Sequence, residues 1–400
     1  MPDFDHQSFF KAIYDLPEEQ LITYLEENKS AIPADKKEQL ISTIMQNKKW
    51  ETFDYCVKED LIHTDLFEYD SLNNGELNSI LMGTKYLSEN DLNNFLPHFS
   101  AYLDEVDDIN EEIESKNLLS FAIQEGLPVA IFQALIDAGI QTNYLTKAEE
   151  NYLHSICRQR QNSNIDYNKN AIQLFIDSGV DINKIDIEGK TPLRNALENY
   201  NLSKPEIIQL LLENGADVNQ EDKKGITPIF VAAVYQQKLD LVKSLLEYGT
   251  PDFDKKNLEG ENLVNAFLRS ISNSPNSIEI LDAFIQNGAN LTATSAYYQK
   301  EKSGIDWIAE KSSEILKHLL DNGSIDVNNT DNDGQTILFK VCQVEPNYDE
   351  AVAKDLYRKV KYLLKAGAEP SIEDRFDKKA VDYAMSDNLK AKIVETLLEK

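Results

Sequence analysis

Cysteine, histidine and basic charge are all in short supply in this chain. Across 400 residues there are 3 Cys, 5 His, 15 Gly and 12 Pro. Cys56, Cys157 and Cys342 lie far apart, so they form no disulfide framework and favour a reducing compartment. His6, His63, His98 and His318 have no Cys or His at ligand spacing, so no metal is expected. No run of 18 apolar residues exists, which excludes a spanning helix. The opening MPDFDHQSFFK is acidic and carries no apolar run, so no Sec-type signal peptide is expected. Phosphate-binding loops, nucleophile elbows, His-Glu-x-x-His helices and kinase signatures are all missing. The expectation is no catalysis, no cofactor and no small-molecule substrate. Lys and Arg number 40 against 69 Asp and Glu, a net charge of −29 with a pI near 4.5. That argues against binding nucleic acid or inserting into an anionic membrane, and permits a basic protein partner.

What the chain does have is a period. Thr191-Pro192-Leu193 and Thr227-Pro228-Ile229 lie 36 residues apart, and Gly179, Gly215 and Gly249 follow at 36 and 34. A period of this size marks stacked supersecondary units. Thr191 and Thr227 can cap helices with Pro in the first turn, where a missing N–H costs nothing. Leu193, Ala196 and Leu197 recur at helical spacing. Ile207, Ile208, Leu210, Leu211 and Leu212 form the apolar side of a second helix starting at Lys204-Pro205-Glu206. Asn214-Gly215 ends that helix, because Gly accepts a left-handed C′ conformation. Asp217-Val218-Asn219 through Asp222-Lys223-Lys224-Gly225 is turn chemistry and predicts a hairpin-like finger. One such unit cannot bury its own apolar face and needs stacked neighbours.

Gly-Lys-Thr-Pro-Leu at 189–193, Gly-Ile-Thr-Pro-Ile at 225–229, Ala232-Ala233 and Gly215-Ala216-Asp217-Val218-Asn219 closely resemble the ankyrin repeat. The resemblance implies an all-α ankyrin-repeat solenoid of helix-turn-helix units with short fingers. Weaker copies occupy the Thr-Pro-Leu slot at 117–119, 151–153, 261–263, 303–305, 336–338 and 379–381. Second helices end at Gly139, Gly179, Gly215, Gly249, Gly288, Gly323 and Gly367. Residues 111–400 thus read as about seven repeats and a truncated capping repeat whose last helix, 389–398, is rich in Lys and Glu. Insertions are expected at 161–167, 293–302 and 345–354.

Residues 1–110 read as three divergent helix pairs, either degenerate repeats or a helical cap. The first pair is broken at Pro17, and Ser88 with Asp91 suggests a capping box in the third. This region holds 23 Asp and Glu against 8 Lys and Arg, a net of −15; the other 290 residues carry −14. No Lys or Arg falls between Lys85 and Lys116, while seven acids crowd positions 104–114. The bland reading is a solvated linker or helix face, and the functional one is a docking surface for a basic partner.

Three clusters invite chemistry. His154 and Cys157 lie three apart, but they fall at the family's Thr-Pro-Leu-His and small core positions, as Cys342 does in its own repeat. Asn329 to Gly334 opens like a calcium loop, yet its twelfth position is Lys340, a cation where a bidentate Glu is needed. The third is the binding face. The resemblance places partner contacts on the concave side, at the two residues before each finger Gly, the one after it, and the two after the paired small residues. In the third repeat these are Ile187, Glu188, Lys190, Glu198 and Asn199. In the fourth they are Lys223, Lys224, Ile226, Val234 and Tyr235. In the fifth they are Leu258, Glu259, Glu261, Leu268 and Arg269. Tyr235 leads, since aromatic anchors dominate interfaces; Tyr297 and Tyr298 are a second candidate.

The expected function is a non-catalytic scaffold or adaptor that binds another protein. The divergent, Asn- and Lys-rich repeats resemble ankyrin proteins that host-associated bacteria deliver into eukaryotic cells. The corresponding location is the cytoplasm, or a host cell reached without a Sec signal. The alternatives are an enzyme built on residues 1–110 with an ankyrin recognition face, and an acidic inhibitor of a basic site.

Overall fold

The computed structural model describes residues 6–65, 72, 75–158, 164–198, 205–298 and 300–400. The chain divides into two compact units, Met1–Ala216 and Asp217–Lys400. Every expected Thr-Pro-Leu slot sits at the start of a helix: Leu118–Glu125, Tyr152–Arg158, Pro192–Glu198, Pro228–Phe230, Leu263–Ser270, Gly304–Glu310, Ile337–Gln343 and Ala380–Ala384.

In the first unit three helix pairs precede the clear repeats: His6–Asp15 with Glu18–Asn28, Lys37–Asn47 with Trp50–Lys58, and Glu76–Thr84 with Glu89–Asp104. First helices pack on first helices and second on second, and Glu89–Asp104 continues onto Val129–Asp137. Pro17 stands at the start of Glu18–Asn28, and Ser88 caps Glu89–Asp104 by accepting from the Asp91 N–H at 3.2 Å. Phe53, Phe95, Phe99 and Tyr102 form a buried aromatic core between the second and third pairs. The acidic stretch is neither a linker nor a helix face. Asp108 accepts from the Asn110 N–H, Ile113 and Lys116 exchange backbone bonds, and Glu114 and Ser115 take positive φ. It is a finger with its carboxylates on the outside.

The fingers share one device. Asp186 Oδ1 accepts from the N–H groups of Glu188 and Lys190 at 2.8 and 2.9 Å. Asp222, Asn257, Asp331 and Asp374 repeat this at their own positions two and four, and Thr146 does so with its hydroxyl. A short side chain that accepts from its own downstream backbone closes the turn without a strand partner. Neighbouring fingertips are joined by single backbone bonds, Ile187 N–H to Ala148 in the first unit and Leu258 N–H to Lys224 in the second. Asparagines tie one repeat to the next: Asn183 donates to the Gly215 carbonyl, and Asn328 to that of Gly367.

Lysines perform a matching task at the C-terminal ends of first helices. Lys359 is 1% exposed and donates to the Ala309 carbonyl, and Lys390 is fully buried on that of Cys342. Lys311 reaches Arg269 and Lys85 reaches Glu125. A cation there satisfies an orphan carbonyl and complements the helix dipole. Lys390 therefore belongs to the core and not to a polar outer face.

Four expectations need correction. The fifth slot is off by one: Asn262, not Glu261, caps its helix by accepting from Asn265, so the register is Asn262-Leu263-Val264. Gly249 is extended, with φ 176°, rather than left-handed; a Cβ there would lie 2.7 Å from Val218 Cγ2, so space alone requires glycine. Half of the 345–354 insertion is helix, because Asp349 caps Glu350–Lys365. The 293–302 insertion is no loop but an antiparallel hairpin, Thr294–Tyr297 with Lys300–Ser303. Of the 161–167 insertion, residues 161–163 lie outside the described residues; Asn164 caps the helix Ile165–Asp177.

Candidate functional site

Each contact position inherits its exposure from the finger and first helix that carry it. In the third repeat Ile187 is 50% exposed and Glu188 is exposed. Lys190 is half-buried and bridges Glu188 at 2.5 Å and Glu198 at 3.0 Å. Burial works against its charge, but the two carboxylates hold its pKa above the ordinary lysine value. It braces the finger against the helix and has little charge to spare for a partner. Asn199 lies outside the described residues.

The fourth repeat presents Lys223 and Lys224 at the fingertip. Ile226 and Val234 do not reach the surface: they are 5% and 8% exposed and belong to the core. Ile226 precedes the capping Thr227 and is buried beside the start of the first helix. Val234 lies in a π turn over Val231–Tyr235, where the Gln236 N–H bonds the Val231 carbonyl at 3.0 Å. The same turn leaves Tyr235 60% exposed, its ring edge-on to Phe230 at 5.4 Å. Single π turns often sit at functional positions.

The fifth repeat places Leu258 at 78% exposure, with Glu259 exposed beside it. Arg269 makes a two-pronged pair with Glu261 at 2.8 and 3.0 Å, which raises the guanidinium pKa further. Leu268 and Glu261 are buried, as the corrected register requires. The final finger holds a position that the sequence reading missed. Phe376 is 56% exposed and precedes Asp377, which takes φ 58° where four other fingers have Gly and the Thr146 finger has Glu149, also at φ 58°. An Asp in the glycine slot hid the motif.

The hairpin tyrosines divide. Tyr298 is 90% exposed, while Tyr297 packs edge-on against Trp307 at 4.8 Å. Lys302 lies over the Tyr297 and Trp307 rings and pairs with Glu310.

The other clusters are structural. His154 is fully buried; its Nε2–H donates to the Lys190 carbonyl at 3.0 Å, and Nδ1 accepts from the Asn151 N–H. Burial lowers its pKa, so it stays neutral and links two repeats. Cys56, Cys157 and Cys342 are buried and unbridged, their thiols pushed up to about 12 by burial. Lys340 meets Asp331 at 2.6 Å and Asp306 at 3.4 Å, so a cation of the chain itself fills the place a metal would take. It lies in a polar cleft of about 520 Å³ lined by Thr294, Ser303, Asn329 and Gln335. Among the described residues no group of three or more His, Cys, Asp or Glu could hold a metal ion. No helix among them is long and apolar enough to cross a membrane.

The sequence matches a family model described as "Ankyrin repeats" in three overlapping copies, over residues 119–222, 161–257 and 200–295. No curated protein matches it. Among solved structures, the ankyrin repeat domain of Bcl-3, a member of the IkappaB protein family, is 19% identical; the match covers 64% of this chain and 100% of that one, with a TM-score of 0.49. A chain from the complex of the Bd0816 predatory endopeptidase of Bdellovibrio bacteriovorus with immunity protein Bd3460 is 24% identical over 52% of this chain and 97% of its own, with a TM-score of 0.38. Residues 119–295 of this chain are ankyrin repeats, and its fold is an all-α ankyrin-repeat solenoid.

Proposed function

We propose that this protein is a non-catalytic adaptor that binds a partner protein through its fingertips and the adjoining ends of its first helices. The observation that carries the reading is the exposure of Tyr235 and Leu258 on elements whose backbones are fixed by hydrogen bonds. A rigid scaffold that shows aromatic and aliphatic side chains to solvent has already met the ordering cost of binding. Lys223, Lys224 and Glu259 supply a polar rim. The surplus of acid makes a basic partner surface the better complement. A host-cell setting rests on the character of the repeats alone, and recovery of the partner from a eukaryotic rather than a bacterial extract tests it.

The function is tested with full-length protein by measuring the Kd for the recovered partner. Tyr235→Ala with Lys224→Ala should weaken binding about 30-fold, the effect of losing roughly 2 kcal/mol of anchor energy. Lys243→Ala, on the helix Leu239–Tyr248 beside Glu279, serves as control and should change nothing. Equal binding by the double variant and the control would move the interface elsewhere.

A further inference from the structure

In the second unit one finger departs from the five-residue loop of its neighbours. The hairpin Thr294–Tyr297 with Lys300–Ser303 brings Tyr297 to the first helix of its own repeat, Gly304–Glu310, and leaves Tyr298 exposed beside it. Tyr297 stands at 81° to Trp307 with centroids 4.8 Å apart, and Tyr298 stands at 75° to Tyr297 at 4.7 Å. Two ring faces at right angles with a carboxylate alongside form the walls of a cation-binding corner. The corner is filled. Lys302 Nζ lies 4.0 Å from the Trp307 centroid, 5.1 Å from that of Tyr297 and 2.6 Å from Glu310 Oε1.

We propose that Tyr297, Tyr298, Trp307 and Glu310 form a binding cage for an alkylammonium cation, held shut by the chain's own Lys302. The bound lysine shows that one ammonium can lie over both rings at once. It is a poor occupant in two ways. A primary ammonium is compact and strongly hydrated, so it gains less from ring faces than a methylated one with diffuse charge. Its tether is also weak: the backbone of Lys302 is pinned by Asn265, but its ammonium is held by one ion pair to an exposed Glu310, a contact that contributes little. Tyr298, at 90% exposure, touches Tyr297 and has to turn inward to close a third wall over a ligand. Lys302 acts as a plug that a methylated amine can replace without any change in the rest of the repeat. The cage stands on its own geometry; its use by a protein partner rests on the adaptor reading.

The test needs no partner. Full-length protein labelled with 5-fluorotryptophan gives two fluorine signals, since the chain has two Trp, and Trp50→Phe assigns them. Tetramethylammonium chloride is titrated against ammonium chloride at fixed ionic strength. In Lys302→Gln, the Trp307 signal should shift saturably with tetramethylammonium, at a midpoint at least tenfold lower than in the unsubstituted chain. The Trp50 signal should stay still. Adding Tyr297→Leu should abolish the response. Lys302→Ala repeats the measurement with a shorter neutral side chain. No saturable shift in either folded variant, or an equal response to ammonium, overturns the proposal. A peptide bearing trimethyl-lysine then separates the sources. A Trp307 shift with the peptide marks a protein side chain as ligand. A shift with tetramethylammonium and choline alone marks a free amine.

Discussion

Exposure decides what each residue of the finger face does. Ile226 and Tyr235 both fall on motif positions, yet one is 5% and the other 60% exposed. Ile226→Ala should cost about 2–5 kcal/mol of unfolding free energy through lost burial and the cavity left behind. Tyr235→Ala should cost under about 1 kcal/mol of stability while weakening partner binding. Urea titration of both variants checks the pair, and similar losses would contradict the burial argument. His154 makes a pH prediction. Its folded pKa lies below the unfolded value of 6.5, because burial disfavours the imidazolium. Above that value both states are neutral and the bond to Lys190 contributes in full. As pH falls below it, the unfolded chain takes the proton first, and the contribution is lost progressively down to the folded pKa. The stability gap between the unsubstituted protein and His154→Gln should therefore narrow from pH 7.5 to 5. A gap that stays constant with pH would show that His154 does not titrate in this way.

At the scale of elements, the finger and the cap make the repeat. Gly225 and Gly288 both take positive φ, 76° and 94°. A Cβ at Gly225 would lie 2.9 Å from the Cα of Asn257 on the next finger, whereas one at Gly288 would meet nothing within 4 Å. Gly288→Ala should cost about 1–2 kcal/mol from the backbone alone. Gly225→Ala should cost more, since the backbone of the neighbouring finger cannot give way as a flexible side chain would. Equal midpoints in denaturant would mean that the fingers do not pack as closely as the backbone bond between Leu258 and Lys224 implies. The buried lysines are tertiary counterparts of caps. Lys359 is drawn by Ala309 and Asp355 into a site where burial lowers its pKa, so its stem serves as core and its head as a cap.

For the molecule as a whole, the charge of −29 favours approach of a basic partner over a long range and does little for the closing contacts. If Tyr235 and Leu258 anchor the complex, raising salt from 0.05 to 0.5 M should slow association about tenfold or more and leave the dissociation rate within roughly threefold. Stopped-flow kinetics separates the two. Dissociation that quickens steeply with salt would point instead to an acidic inhibitor holding a basic site with the carboxylates of 104–114.

The sequence by itself determined the repeat. Thr, Asn or Ser before most first helices, Gly after most second helices and an Asx residue opening most fingers act over two to five residues, so they are visible without a fold. It also determined that His154, Cys157, Cys342 and the pseudo-calcium loop are structural, because their slots in the period leave them no freedom. Only the tertiary structure decided the rest. The slip at Asn262, the glycine role taken by Asp377 and the π turn over Val231–Tyr235 are departures from the motif, which only the folded repeats reveal. The plugging of the Tyr297–Trp307 corner by Lys302 is of the same kind. Strand pairing and helix packing bring Tyr297, Lys302 and Trp307 to one point, and no local propensity encodes that meeting.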